Sequence, residues 1–143
     1  MRANAPEIDL GIAAFEASDW RKALQHFDRA IALNDSDALP FQLRGATLLE
    51  LRRYHDALKD FEQSILLAPF SELGYLGKAR AFAGLKDYRW AVVQLTNAID
   101  LIPEDADASD YYLERAELYT HIGERRRAEQ DRQHAASLSA TSR

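Results

Sequence analysis

Apolar side chains recur along residues 41–69 (FQLRGATLLELRRYHDALKDFEQSILLAP) at helical spacing rather than in the alternation of a strand. The pattern predicts two short helices folded back on each other. The first covers about residues 41–51, Arg52 and Arg53 make the turn, and the second runs from 54 to 67. Pro69 ends it, because proline cannot continue a helix. Small residues stand where two helices would touch: Gly45 on the first, Ala57 and Ser64 on the second. Phe41, Leu48, Tyr54 and Phe61 fill the spaces between.

The same pattern returns along the chain. Ala23, Ala57 and Ala91 are separated by steps of 34, as are Ala30, Ser64 and Ala98; Trp20, Tyr54 and Tyr88; Phe27, Phe61 and Leu95; and Gly11, Gly45 and Ala79. Pro69 and Pro103 keep that spacing. After a step of 37, Ala116, Tyr119, Arg125, Ala128 and Ala135 answer Ala79, Phe82, Tyr88, Ala91 and Ala98. One period in so many columns marks an internal repeat, which outranks any local reading.

Period and pattern resemble the tetratricopeptide repeat family. Its signature is matched in the second repeat by Phe41, Arg44-Gly45, Leu48, Ala57, Phe61, Ser64 and Pro69. In the third it is matched by Tyr75, Lys78-Ala79, Phe82, Ala91, Leu95, Ala98 and Pro103. The first repeat keeps Leu10-Gly11, Ala23, Phe27 and Ala30, with Glu7, Ala14 and Asp35 as departures. The fourth keeps Tyr112, Arg115-Ala116, Tyr119, Ala128 and Ala135, with Arg132 in place of an aromatic. The resemblance covers about residues 6–138. It implies an all-α, right-handed superhelical solenoid of four helical hairpins in one domain. The repeats are expected at about 4–37, 38–71, 72–105 and 109–138, with 139–143 frayed.

Local signals refine this layout. Asn4 and Pro6 suit the start of a first helix ending near residue 17, and Ser18-Asp19 make its turn. Residues 20–33 form the second helix, Gly84 to Asp87 turn inside the third repeat, and PEDADASD (103–110) holds the three-residue extension. The last helix, about 125–136, is polar on its outer side and reads as an end cap. The first helix is different. Leu10 and Gly11 are expected to pack inward, leaving Ile8, Ile12 and Phe15 as an uncovered apolar stripe.

Composition excludes several function classes. The chain of 143 residues carries a net charge of -5, with 8 basic and 11 acidic residues in positions 1–70 and 10 and 12 in positions 71–143. A nucleic-acid reader would show a basic face, and Trp20, Tyr54 and Tyr88 keep the repeat register, as packing residues do. Cysteine is absent. No stretch is long and apolar enough to span a membrane, and Glu7 and Asp9 interrupt any secretory signal, so a cytoplasmic protein is expected.

No catalytic or metal constellation stands out. His26, His55, His121 and His134 lie at no metal-ligand spacing and are expected on the surface. Asp105, Asp107 and Ser109 resemble the start of a calcium loop, but Asp110 replaces its glycine and Ala116 its closing glutamate. There is no phosphate loop and no nucleophile with a base. Arg125, Arg126 and Arg127, beside Glu124, Glu129 and Asp131, read as a solvated salt-bridged face. The expectation is a non-enzyme with no cofactor and no metal.

The resemblance also implies where binding occurs: the first helix of each repeat lines a concave groove. The residues expected there are Ile8, Ile12, Phe15, Leu39, Gln42, Leu43, Leu73, Leu76, Arg80, Leu113 and Glu117, apolar toward the N-terminus and acidic toward the C-terminus. The family's carboxylate clamp for chaperone tails needs Lys, Asn, Asn, Lys and Arg. This chain offers Ile8, Ile12, Leu43, Leu73 and Gly77, or, one repeat along, Gln42, Ala46, Gly77, Asp110 and Glu114. No clamp is expected. The reading is a protein-binding adaptor or scaffold for an apolar or amphipathic segment, without nucleic acid or membrane. Two alternatives stand: a weak homodimer through the uncapped first helix, and a bacterial secretion-type chaperone of the same family.

Overall fold

The computed structural model describes residues 2–141. Those residues form eight α-helices and no strand: α1 (Ala5–Glu16), α2 (Trp20–Leu33), α3 (Ala38–Glu50), α4 (Tyr54–Leu67), α5 (Glu72–Gly84), α6 (Tyr88–Asp100), α7 (Ser109–His121) and α8 (Arg125–Thr141). They divide into two compact units, Met1–Phe70 with α1 to α4 and Ser71–Arg143 with α5 to α8. Each unit is two helical hairpins.

Every hairpin turns in the same way. Ser18, Arg52, Lys86 and Gly123 adopt φ of 58°, 58°, 63° and 79°, the left-handed conformation that ends a helix. The next N–H then reaches back: Asp19 to the Ala14 carbonyl, Arg53 to Leu48, Asp87 to Phe82 and Glu124 to Tyr119, each at 2.9 Å. Only the fourth turn uses glycine, which takes this conformation without a Cβ penalty. Carboxylates and a hydroxyl then start the following helices. Asp19 accepts from the Lys22 N–H, Asp37 from Leu39, Ser71 from Leu73 and Asp87 from Trp90.

Two columns of residues, separated by 16 positions across each hairpin, explain the packing. In the first, Gly11 and Gly45 face Phe27 and Phe61; a Cβ on Gly45 would stand 2.7 Å from the Phe61 ring, and one on Gly11 closer still to Phe27. Where the glycine becomes Ala79 the partner shrinks to Leu95, and both are fully buried. The second column places a buried polar residue on every second helix: His26, Asp60, Gln94 and Asp131. Burying a carboxylate needs a partner. Arg44 grips Asp60 through Nε and Nη2 at 2.8 and 2.7 Å, and Arg115 grips Asp131 with two bonds of 2.8 Å. These forks hold both guanidinium pKa values above the usual range, chiefly through the hydrogen bonds to the aspartates. In the first repeat Leu10 replaces the arginine, and the charges are rearranged: His26 Nδ1 meets Glu7 at 2.6 Å.

Several expectations need correction. Ile8 is buried at 4% exposure, while Leu10 is 51% exposed. The first helix is rotated from the expected setting, with Leu10 in the column that Arg44 and Arg115 hold in other repeats. Asn4 stands at the N-cap position of α1 without capping it; its buried amide donates instead to the Ala30 carbonyl and Asp37. His26 is buried, not a surface histidine. Asp131 faces Arg115 rather than joining a solvated face with Arg125 to Arg127. The last helix continues through Thr141, so residues 139–141 of the expected frayed tail are helical, and 142–143 lie outside the described residues.

Candidate functional site

Most of the expected groove residues in the Met1–Phe70 unit are spent on packing. Ile8 is buried, and Ile12, Phe15 and Leu43 pack against the cluster of Ala14, Ala23 and Phe27. Phe15 also meets Trp20 edge-on, with ring centroids 5.0 Å apart. Gln42 donates its amide to Ser64 Oγ at 2.9 Å, and Leu39 is half-buried. The apolar surface expected near the N-terminus is therefore largely spent on packing, because α1 turns these side chains toward α2 and α3. The polar depression of this unit, about 300 Å³, is lined by Lys59 and by charged groups already paired: Asp28 and Asp60 with Arg44, and Arg53 with Asp56.

The Ser71–Arg143 unit is the opposite. On α5, Leu73 is 43% exposed; on α7, Leu113 is 45% exposed and Glu117 is open to solvent. Leu76 is half-buried against the core of Ala79, Leu95 and Leu118. Between the two helices lies a cleft of about 190 Å³ lined by Leu76, Arg80, Asp110, Tyr111 and Glu114. Sequence reasoning placed Leu76 and Arg80 in the groove and met Asp110 and Glu114 as positions where a clamp's cations are missing; it missed Tyr111. The signal for Tyr111 was present, since it stands within one turn of Leu113 on a first helix.

Electrostatics set the character of this cleft. Arg80 donates Nε to Glu114 Oε1 at 3.1 Å, and its Nη2 lies 3.1 Å from the same oxygen. The other oxygen, Oε2, is buried and has no hydrogen-bond partner. Burial pushes the Tyr111 phenol above its ordinary value of 10.0; Glu72 and Glu114 add to the rise and Arg80 offsets part of it. The field at Tyr111 thus carries two carboxylates against one guanidinium.

No metal-binding group of three or more His, Cys, Asp or Glu occurs among the described residues, and no described helix is long and apolar enough to cross a membrane. Asp107 starts α7 by accepting from the Ser109 N–H. A second depression, about 410 Å³, lies under the loop before α7 and is lined by Ile102, Pro103, Ala106, Tyr112, His134 and Leu138. This is where the three extra residues sit. The α5–α7 face offers exposed leucines, carboxylates, a phenol and a guanidinium.

Comparison with known proteins agrees with this architecture. No protein-family model matches the chain. The Hsp70-Hsp90 organizing protein of Triticum aestivum is 35% identical over 95 residues, which is 66% of this chain but only 16% of that protein. MamA from Desulfovibrio magneticus RS-1 superposes with a TM-score of 0.86 at 21% identity, over 98% of this chain and 77% of that one. The Arabidopsis OM64 TPR domain gives 0.73 at 27% identity, over 85% of this chain and 98% of that domain. The second TPR of Spaghetti (RPAP3), bound to the HSP90 peptide SRMEEVD, gives 0.66 at 24% identity, over 69% and 92%. Four helical hairpins on one repeat, with the same left-handed turn in each and the fold of these solved structures, make the chain a member of the tetratricopeptide repeat family.

Proposed function

We propose that this chain is a non-catalytic protein-interaction module, and that the α5–α7 face receives a segment of another protein. The observation that carries the reading is the pair of exposed leucines, Leu73 and Leu113, flanking a polar cleft on adjacent first helices. Apolar side chains left open around a few convergent polar groups mark an interaction surface. The relatives support a binding role: one is named an Hsp70-Hsp90 organizing protein, and one solved neighbour holds a peptide.

The ligand differs from that peptide. SRMEEVD is acidic, and the positions that would clamp its carboxylates carry Ile8, Ile12, Leu43, Leu73 and Gly77, or Gln42, Ala46, Gly77, Asp110 and Glu114. Neither set holds a cation. Self-association through α1 loses its basis, because the stripe that motivated it is buried at Ile8 and packed at Ile12 and Phe15.

A double substitution, Leu73→Glu with Leu113→Glu, tests the proposal. Partners captured by the wild-type protein and identified by mass spectrometry should be lost, while far-ultraviolet circular dichroism stays unchanged. Retention of every partner would refute the assignment of this face.

A further inference from the structure

We infer that the α5–α7 face selects a positively charged amphipathic segment, whose lysine or arginine enters the cleft against Asp110 and Glu114 while its apolar side lies on Leu73 and Leu113. This rests on the function proposed above and adds the chemistry of the partner.

Three observations carry it. The first is Glu114. One carboxylate oxygen is held by Arg80, the other has no donor among the described residues, and the side chain, 31% exposed, lines the cleft. An unpartnered acceptor is costly to leave unmade, and a ligand's ammonium or guanidinium supplies the missing hydrogen bond. The second is the balance of charge. Glu72, Asp110, Glu114 and Glu117 on α5 and α7 outnumber Lys78, Arg80 and Arg115, and Arg80 is already engaged by Glu114. An anionic segment would meet four carboxylates with no free cation, which repels it. The third is the placement of apolar surface. Leu73 and Leu113 are open on either side of the charged cleft, so a segment with one charged and one apolar edge satisfies both features. The neighbouring cations do not cancel the field: Arg115 is turned away onto Asp131.

Arg80 gives the inference a signed prediction. If the ligand is cationic, Arg80 competes with it for Glu114, and removing Arg80 tightens binding. If the ligand is anionic, Arg80 is its anchor, and removal abolishes binding.

The experiment uses fluorescence anisotropy with three labelled amphipathic peptides that share one leucine pattern. Their polar positions are all lysine, all glutamine or all glutamate. The lysine peptide should bind at least about tenfold more tightly than the other two. Asp110→Asn with Glu114→Gln should weaken it about tenfold, and Arg80→Gln should tighten it roughly threefold. Glu104→Gln with Asp105→Asn removes as much charge from the loop before α7 and should leave affinity unchanged. Equal binding of the glutamine or glutamate peptide overturns the inference and leaves the docking face standing. Equal weakening by the loop control also overturns it, since attraction would then be diffuse. If none of the three peptides binds, the inference and the docking face fall together.

Discussion

Removing the Asp131 carboxylate should be among the most damaging single changes in the Ser71–Arg143 unit. The side chains of Arg115 and Asp131 are 15% and 8% exposed and share two bonds of 2.8 Å. Breaking a buried pair from one side costs about 3–5 kcal/mol, because it strands the other charge. Arg115 keeps a bond of 3.1 Å to Thr96 Oγ1 and lies over the rings of Tyr112 and Tyr119. Those contacts place Asp131→Ala near the lower end, at about 3 kcal/mol. Asp60→Ala should cost less, about 1–2 kcal/mol, since Arg44 is more exposed at 27% and retains Asp28 at 2.9 Å. Replacing both partners, Arg115→Leu with Asp131→Leu, should recover most of the loss, as apolar pairs often equal buried ion pairs. Urea unfolding followed by circular dichroism measures this. With a slope of about 1–3 kcal/mol per molar, Asp131→Ala should lower the midpoint by about 1–3 M. A loss below about 0.5 kcal/mol would mean a solvated surface pair, and a double variant no more stable than Asp131→Ala would refute the argument that the stranded charge is the cost.

Three further outcomes follow from the packing and the cleft. Gly45→Ala should destabilise, since overpacking of about 1–3 kcal/mol against Phe61 exceeds the gain in helix propensity of about 1 kcal/mol; adding Phe61→Leu, the pairing of Ala79 with Leu95, should recover part of the loss in the same urea assay. Ile8→Glu should cost about 3 kcal/mol or more, whereas Leu10→Glu should stay within about 0.5 kcal/mol and leave the elution volume unchanged; the reverse order would restore the setting of α1 expected from the sequence. Tyr111, followed by carbon-13 resonances of labelled tyrosine, should ionise above the ordinary 10.0, higher still in Arg80→Gln and lower in Glu114→Gln. Because its folded value is the raised one, its contribution to stability is complete below the unfolded value and fades as pH rises through the folded one.

The repeat was legible because glycine, alanine and aromatic residues keep their columns, and those columns locate the hairpins and turns. Gly45 and Ala57 were recognisable as contact points from size alone. The setting of α1 was not, because the first repeat carries Leu10 where the others carry Arg44, Lys78 and Arg115. Leucine in that column looks like a core residue, yet the helix leaves it half exposed. The Arg–Asp forks had a sequence signal, two pairs 16 residues apart in matching columns, but charged residues on short helices are ordinarily solvated, and Asp131 was read so. The cleft depended on which face of α7 meets α5, which sequence periodicity does not supply when Tyr111, Tyr112 and Leu113 are consecutive.

The most direct test of the central claim is a nitrogen-15 titration of the protein with the segment it captures. Binding at the α5–α7 face predicts the largest shifts at the amides of Leu73, Leu76, Arg80, Asp110, Leu113 and Glu117, with α8 unmoved. Shifts concentrated on α6 and α8, with those six amides unchanged, would contradict it.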